Sequence, residues 1–126
     1  MLEKIIAIAL LIVSLIHLLP IVGFLSADKL SSIYKITIAD QNLEILMRHR
    51  AVLFGLLSIL FAYSAFQPQL QPLAIMLGFA SVLSFFYLSY SVGNFNSAIS
   101  KVIVADIVAL AALVVALGAY TIKRFS

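Results

Sequence analysis

The residues able to do chemistry are few and clustered. Glu44, Arg48, His49 and Arg50 fall within seven positions of DQNLEILMRHR, Asp40 to Arg50, and from Ala51 to Ser100 no charged residue follows. Outside that cluster stand two isolated groups in apolar surroundings, His17 and Asp106. A carboxylate, a guanidinium and an imidazole together can hold a polar headgroup, form an ion pair or pass a proton. Which of these applies depends on whether the chain brings them together.

The elements that must position them are membrane helices. Of the 126 residues, 64% are hydrophobic and 10% charged, and mean hydropathy is +1.20. Soluble domains carry about a quarter charged residues, so the composition selects a membrane protein. A span takes about 20 apolar residues. Four fit, at 5–25, 43–66, 72–92 and 101–122, as a single transmembrane domain covering 1–126. No length is left for a soluble catalytic domain. The net charge of +3 is scattered rather than gathered into a basic patch, which argues against nucleic acid as a partner. Cysteine is absent, which removes disulfides and thiol chemistry. The apolar run from Ile5 to Leu25 is too long for a signal core. It also has Leu25 where a cleavage site before Asp28 would need a small residue, so it reads as a span.

The expected fold is an all-α membrane protein, an antiparallel four-helix transmembrane bundle. The longer first loop, 26–41, could hold a short strand in its alternating middle SIYKITIAD or lie as an amphipathic segment on the membrane surface. Pro20 should kink span one near His17, because it cannot donate to the carbonyl of Ile16. Asp40 or Asn42 caps span two. Along that helix Glu44, Arg48, Ala51, Gly55, Ser58, Ala62 and Ala65 recur at spacings of four and three, a stripe that small residues suit for close packing. This stripe carries Glu44 and Arg48 inward. It leaves Arg50, Phe54, Leu57 and Phe61 toward lipid, with Arg50 snorkelling to the headgroups. Ala105, Ala109, Ala112, Ala116 and Ala119 form a similar stripe in span four.

Antiparallel threading puts every embedded ionisable group in the half of the bundle nearest the first and third loops. Asp106 lies roughly 7 Å below that surface and His17 roughly 12 Å, at 1.5 Å per residue. A charge at the centre of a span costs about 2.5–3.5 kcal/mol on insertion scales, so such groups pair and face inward. The expectation is an Arg48–Asp106 ion pair with Glu44 as a second acceptor, and His17 below it bonded to Ser14 or Tyr87. The candidate ligand-binding or buried polar cluster is therefore His17, Glu44, Arg48, Tyr87, Asn94 and Asp106. Such a pair could fix helix register, build a binding or reactive pocket, or line an ion path. No ligand spacing supports a metal, and no cofactor is predicted.

Four short spans, a polar first loop, D-x-N-L-E-x-L-x-R-H-R-A-V-L-F-G at Asp40 to Gly55, and Val104-Ala105-Asp106 early in span four resemble small bacterial membrane proteins of the DoxX-like type. The resemblance covers nearly the whole chain in architecture. It implies a cytoplasmic (inner) membrane protein with both termini in the cytoplasm and a loose link to respiratory chains and oxidant handling. The absence of cysteine departs from a thiol role. Taken with the residues, the expected function is non-enzymatic binding of an amphipathic small molecule, a lipid or quinone. An enzyme on a lipid-soluble substrate and an accessory subunit meeting a partner or a second copy along the small-residue stripes are the alternatives.

Overall fold

The computed structural model describes residues 1–20, 27–34 and 40–125, and these are helical nearly throughout. The elements are α1 (Leu2–Leu18), α2 (Ala27–Tyr34), α3 (Gln41–Ser64), α4 (Gln71–Val92) and α5 (Ser97–Phe125), with a 3-10 turn at Pro68–Leu70 leading into α4. Three stretches are long and apolar enough to cross a membrane: Gln41–Ser64, Pro68–Val92 and Ser97–Phe125. α1 is 17 residues, about 25 Å at 1.5 Å per residue. That is short of the hydrocarbon thickness of about 30 Å.

α1 packs between α5 and α3. It meets α5 and α3 most extensively, while α4 leans chiefly on α5. Its buried face is Ile6, Ala9, Leu10, Val13, Ser14 and His17, a spacing of three and four. Facing it are Ala109, Ala112, Ala116 and Ala119 of α5, all buried, as the alanine stripe requires. Two serines join α1 to α3. Ser14 Oγ donates to the Ser58 carbonyl at 2.7 Å and Ser58 Oγ donates to the Ser14 carbonyl at 2.9 Å. The outward faces carry large apolar side chains along every long helix, including Leu15, Ile59, Met76 and Val104.

Three expectations are corrected. Pro20 does not kink α1 but follows its end: the helix stops at Leu18, with Leu19 and Pro20 in a 3-10 turn. Leu19 keeps helical backbone at φ −53° and ψ −43°, and Pro20, which has no N–H to give to the Ile16 carbonyl, ends the α-helical bonding. The start of the first loop is a helix, α2, which takes in residues 32–34 of the alternating segment. A helix satisfies its own backbone bonds, whereas a lone strand leaves two open edges. Lys35–Ala39, the rest of the alternating segment, lies outside the described residues, as does 21–25 of the expected first span. α5 begins at Ser97, four residues before Lys101, because Asn96 caps it: the Ile99 N–H donates to Asn96 Oδ1 at 2.9 Å.

Elsewhere the boundaries agree with the expected spans to within two residues at α3 and α4. Asp40 is the cap of α3, accepting from the Asn42 N–H at 2.9 Å. α4 ends where Gly93 takes φ +74°, with Asn94 following at φ +53°. Gly78 of α4 sits against Leu113 of α5 so closely that a Cβ there would approach Leu113 Cδ2 to 2.6 Å.

Candidate functional site

A cavity of about 370 Å³ opens between α1, α2, α3, α4 and α5 near the cap of α5. Its polar wall is Arg50, Tyr34, Lys101 and Asp106, and its apolar wall includes Phe54 and Phe85. His17 and Ser81 also border it.

Arg50 enters the cavity because of where it sits on α3. At about 100° per residue, Arg48 and Arg50 lie about 80° to either side of Ser58. Phe61, fully buried, lies about 60° from Ser58 on the Arg50 side and turns the packed face that way. The four-three stripe drifts by about 20° per heptad against a straight helix. It is right at Ala51, Gly55, Ser58 and Ala65, which are buried, and fails at Arg48, about 80° from Ser58, and at Glu44 in the first turn, 39% and 34% exposed. The face of Arg50, Phe54 and Phe61 expected to meet lipid is thus an inner face.

The guanidinium of Arg50 is held in place. Its Nη1 donates to the Tyr34 hydroxyl at 3.0 Å. The group stands 4.6 Å from the Phe54 ring centroid and 5.5 Å from that of Tyr34. Tyr34 is held in turn by Asn96, whose Nδ2 donates to the Tyr34 carbonyl at 2.7 Å. One asparagine therefore caps α5 and pins the end of α2. A pinned tyrosine then orients the arginine.

Asp106 shares the cavity with Arg50 and Lys101. It is half-buried. Among the described residues it makes no hydrogen bond or ion pair. Arg48 lies elsewhere, on a separate open groove with Gln41, Glu44, Ile45, His49 and Val52. There it bonds Glu44 at 3.4 Å, one helical turn away. The Arg48–Asp106 pair expected from the sequence is not formed, and it is Arg50 that lines the cavity with Asp106.

His17 is 2% exposed and bonded at both ring nitrogens. Nδ1 lies 2.9 Å from the Val13 carbonyl, which can only accept, so Nδ1 carries the proton. Nε2 then accepts from the Ser81 hydroxyl at 2.9 Å. Phe61 meets the ring edge-on at 4.9 Å and Phe54 tilts against it at 5.7 Å. The expected partners are replaced: Ser14 is committed to Ser58, and Tyr87 is 72% exposed on the outside of α4. Asn94 is also exposed, in the turn between α4 and α5.

Of the six candidate residues, His17 and Asp106 border the cavity, Glu44 and Arg48 share the outer groove, and Tyr87 and Asn94 lie apart from both. The residues sequence reasoning passed over are Arg50, Tyr34 and Lys101. For Arg50 a signal existed: phenylalanines four and eleven positions later mark the packed face. For Tyr34 none did, since its place depends on the path of the first loop. No family model, curated protein or solved structure matches the chain.

Proposed function

We propose that the chain is a four-span integral membrane protein of the DoxX-like type that binds an amphipathic small molecule, a lipid or quinone, in the cavity beside α1. The observation that carries this reading is the cavity itself: an oriented guanidinium, and a carboxylate without a bonding partner among the described residues, border a largely apolar space of about 370 Å³. Ligand sites have this character, mostly apolar walls with a few placed polar groups, at about 300–1,000 Å³. Arg50 holds a headgroup or carbonyl oxygen of the occupant. α1 serves as the fourth span.

Antiparallel threading is supported by the far end of the bundle. Glu3, Phe66, Gln71 and Lys123 border one groove, and Lys123 Nζ stands 3.7 Å from Glu3 Oε1. The start of α1, the turn between α3 and α4, and the end of α5 therefore meet there. With both termini in the cytoplasm of a bacterial cell, the cavity opens toward the periplasm.

A second reading, an enzyme on a lipid-soluble substrate, draws on Asp106, whose carboxylate borders free volume as a general base must. His17 is less suited, because a substrate would have to displace Ser81 from Nε2. Glu44 is on the other groove.

The test is mass spectrometry of what co-purifies in mild detergent, comparing wild type, Arg50→Ala and Arg48→Ala. One amphiphile enriched over bulk lipid, kept by Arg48→Ala and lost with Arg50→Ala, is the expected result. The same bulk lipid in all three samples would count against the reading.

A further inference from the structure

We propose that the occupant is an anionic phospholipid whose headgroup carries hydroxyls, its phosphate taken by Arg50 and Lys101 and a hydroxyl donated to Asp106. This rests on the amphiphile-binding reading above and names the headgroup class.

The first argument is hydrogen-bond complementarity. An ionised carboxylate only accepts. Asp106 has no donor among the described residues, so the occupant must bring one. A quinone offers carbonyl acceptors alone and would set acceptor against acceptor at Asp106. Arg50 has the opposite need. One of its five N–H groups goes to Tyr34, and the cavity side is left with donors seeking an acceptor. The headgroup must therefore accept at one end and donate at the other.

The second argument is charge. The cavity wall carries two cations, Arg50 and Lys101, and one anion, Asp106. A single phosphate diester brings the sum to zero, which matters where apolar walls strengthen every uncompensated charge. A zwitterionic headgroup leaves the site with its surplus positive charge. Lys101 is exposed, a turn and a half toward the helix start from Asp106, and suits the mouth of the site. The phosphate links the hydroxyl-bearing headgroup to the acyl chains, so Arg50 and Lys101 hold the middle of the headgroup and Asp106 its hydroxyl end, while the acyl chains leave the cavity of about 370 Å³ for the bilayer.

The experiment is native mass spectrometry of delipidated protein titrated with phosphatidylglycerol, phosphatidylethanolamine or ubiquinone in mixed micelles. Phosphatidylglycerol should be retained at least about tenfold more tightly than either competitor, roughly the discrimination that one charge-assisted contact supplies. Lys101→Gln and Arg50→Gln should each erase most of that preference. Lys101 is exposed, so its variant tests the idea even where Arg50→Gln fails to fold. Asp106→Asn, which still accepts, should retain phosphatidylglycerol. Preference for phosphatidylethanolamine that vanishes with Asp106→Asn would assign an ammonium to Asp106 and overturn the headgroup proposal. Preference for ubiquinone would overturn it equally. Both of those outcomes leave the amphiphile reading standing. Failure of all three to bind above the bulk micelle would overturn both.

Discussion

At the scale of single residues, the decisive feature is how differently the buried polar groups are satisfied. His17 is bonded at both nitrogens and packed between two phenylalanines, so it serves the structure. Ser81→Ala removes the donor to Nε2 and leaves a nearly inaccessible acceptor. The expected cost is about 1–3 kcal/mol, read as a lowered midpoint in detergent unfolding. Asp106 is the contrasting case. With no ion pair to lose, Asp106→Asn should leave the unfolding midpoint within the equivalent of about 0.5 kcal/mol, as for substitutions away from strong interactions. A large loss there would mean that Asp106 holds the bundle together. His17 and Asp106 were both legible in the sequence as polar residues in apolar helices. Their partners were not. Arg48 and Arg50 differ by only two positions, and which one turns inward is decided by Phe61, eleven residues further on.

At the scale of elements, two joints position the cavity. The reciprocal Ser14–Ser58 bonds fix α1 against α3 just below it. Interhelical bonds in membranes average about 0.6 kcal/mol in double-mutant cycles. Ser14→Ala and Ser58→Ala should each cost about that much, and the double variant less than the sum, because both remove parts of one clasp. Asn96 is the other joint. Asn96→Ala removes a helix cap, worth about 0.5–2 kcal/mol. It also frees Tyr34, so it should weaken ligand retention as well as stability, whereas the clasp variants should affect stability alone. Long helices were readable from apolar length, and the α4–α5 turn from Gly93 and the asparagines. The first loop was not. Of the alternating segment SIYKITIAD, residues 32–34 end α2 and Asp40 caps α3, while 35–39 lie outside the described residues.

At the scale of the whole molecule, the account requires one end of the bundle to gather Glu3, Gln71 and Lys123 and the other to hold the cavity. The chain has no cysteine, so single cysteines report sidedness without background. Cysteines at Lys4 and Gln69 should be labelled from the same side of a sealed vesicle, and one at Asn94 from the opposite side. Labelling of Lys4 and Gln69 from opposite sides would remove α1 from the set of spans. The central claim is that the space between the helices is a ligand site, and it is tested most directly by filling that space. Ala105 borders the cavity on α5, and Ala105→Trp together with Ala98→Phe fills much of it without changing any charge. Native mass spectrometry of this variant beside wild type should find the co-purifying amphiphile gone, with the unfolding midpoint in detergent close to normal. An amphiphile retained at full stoichiometry with the cavity filled would contradict the account.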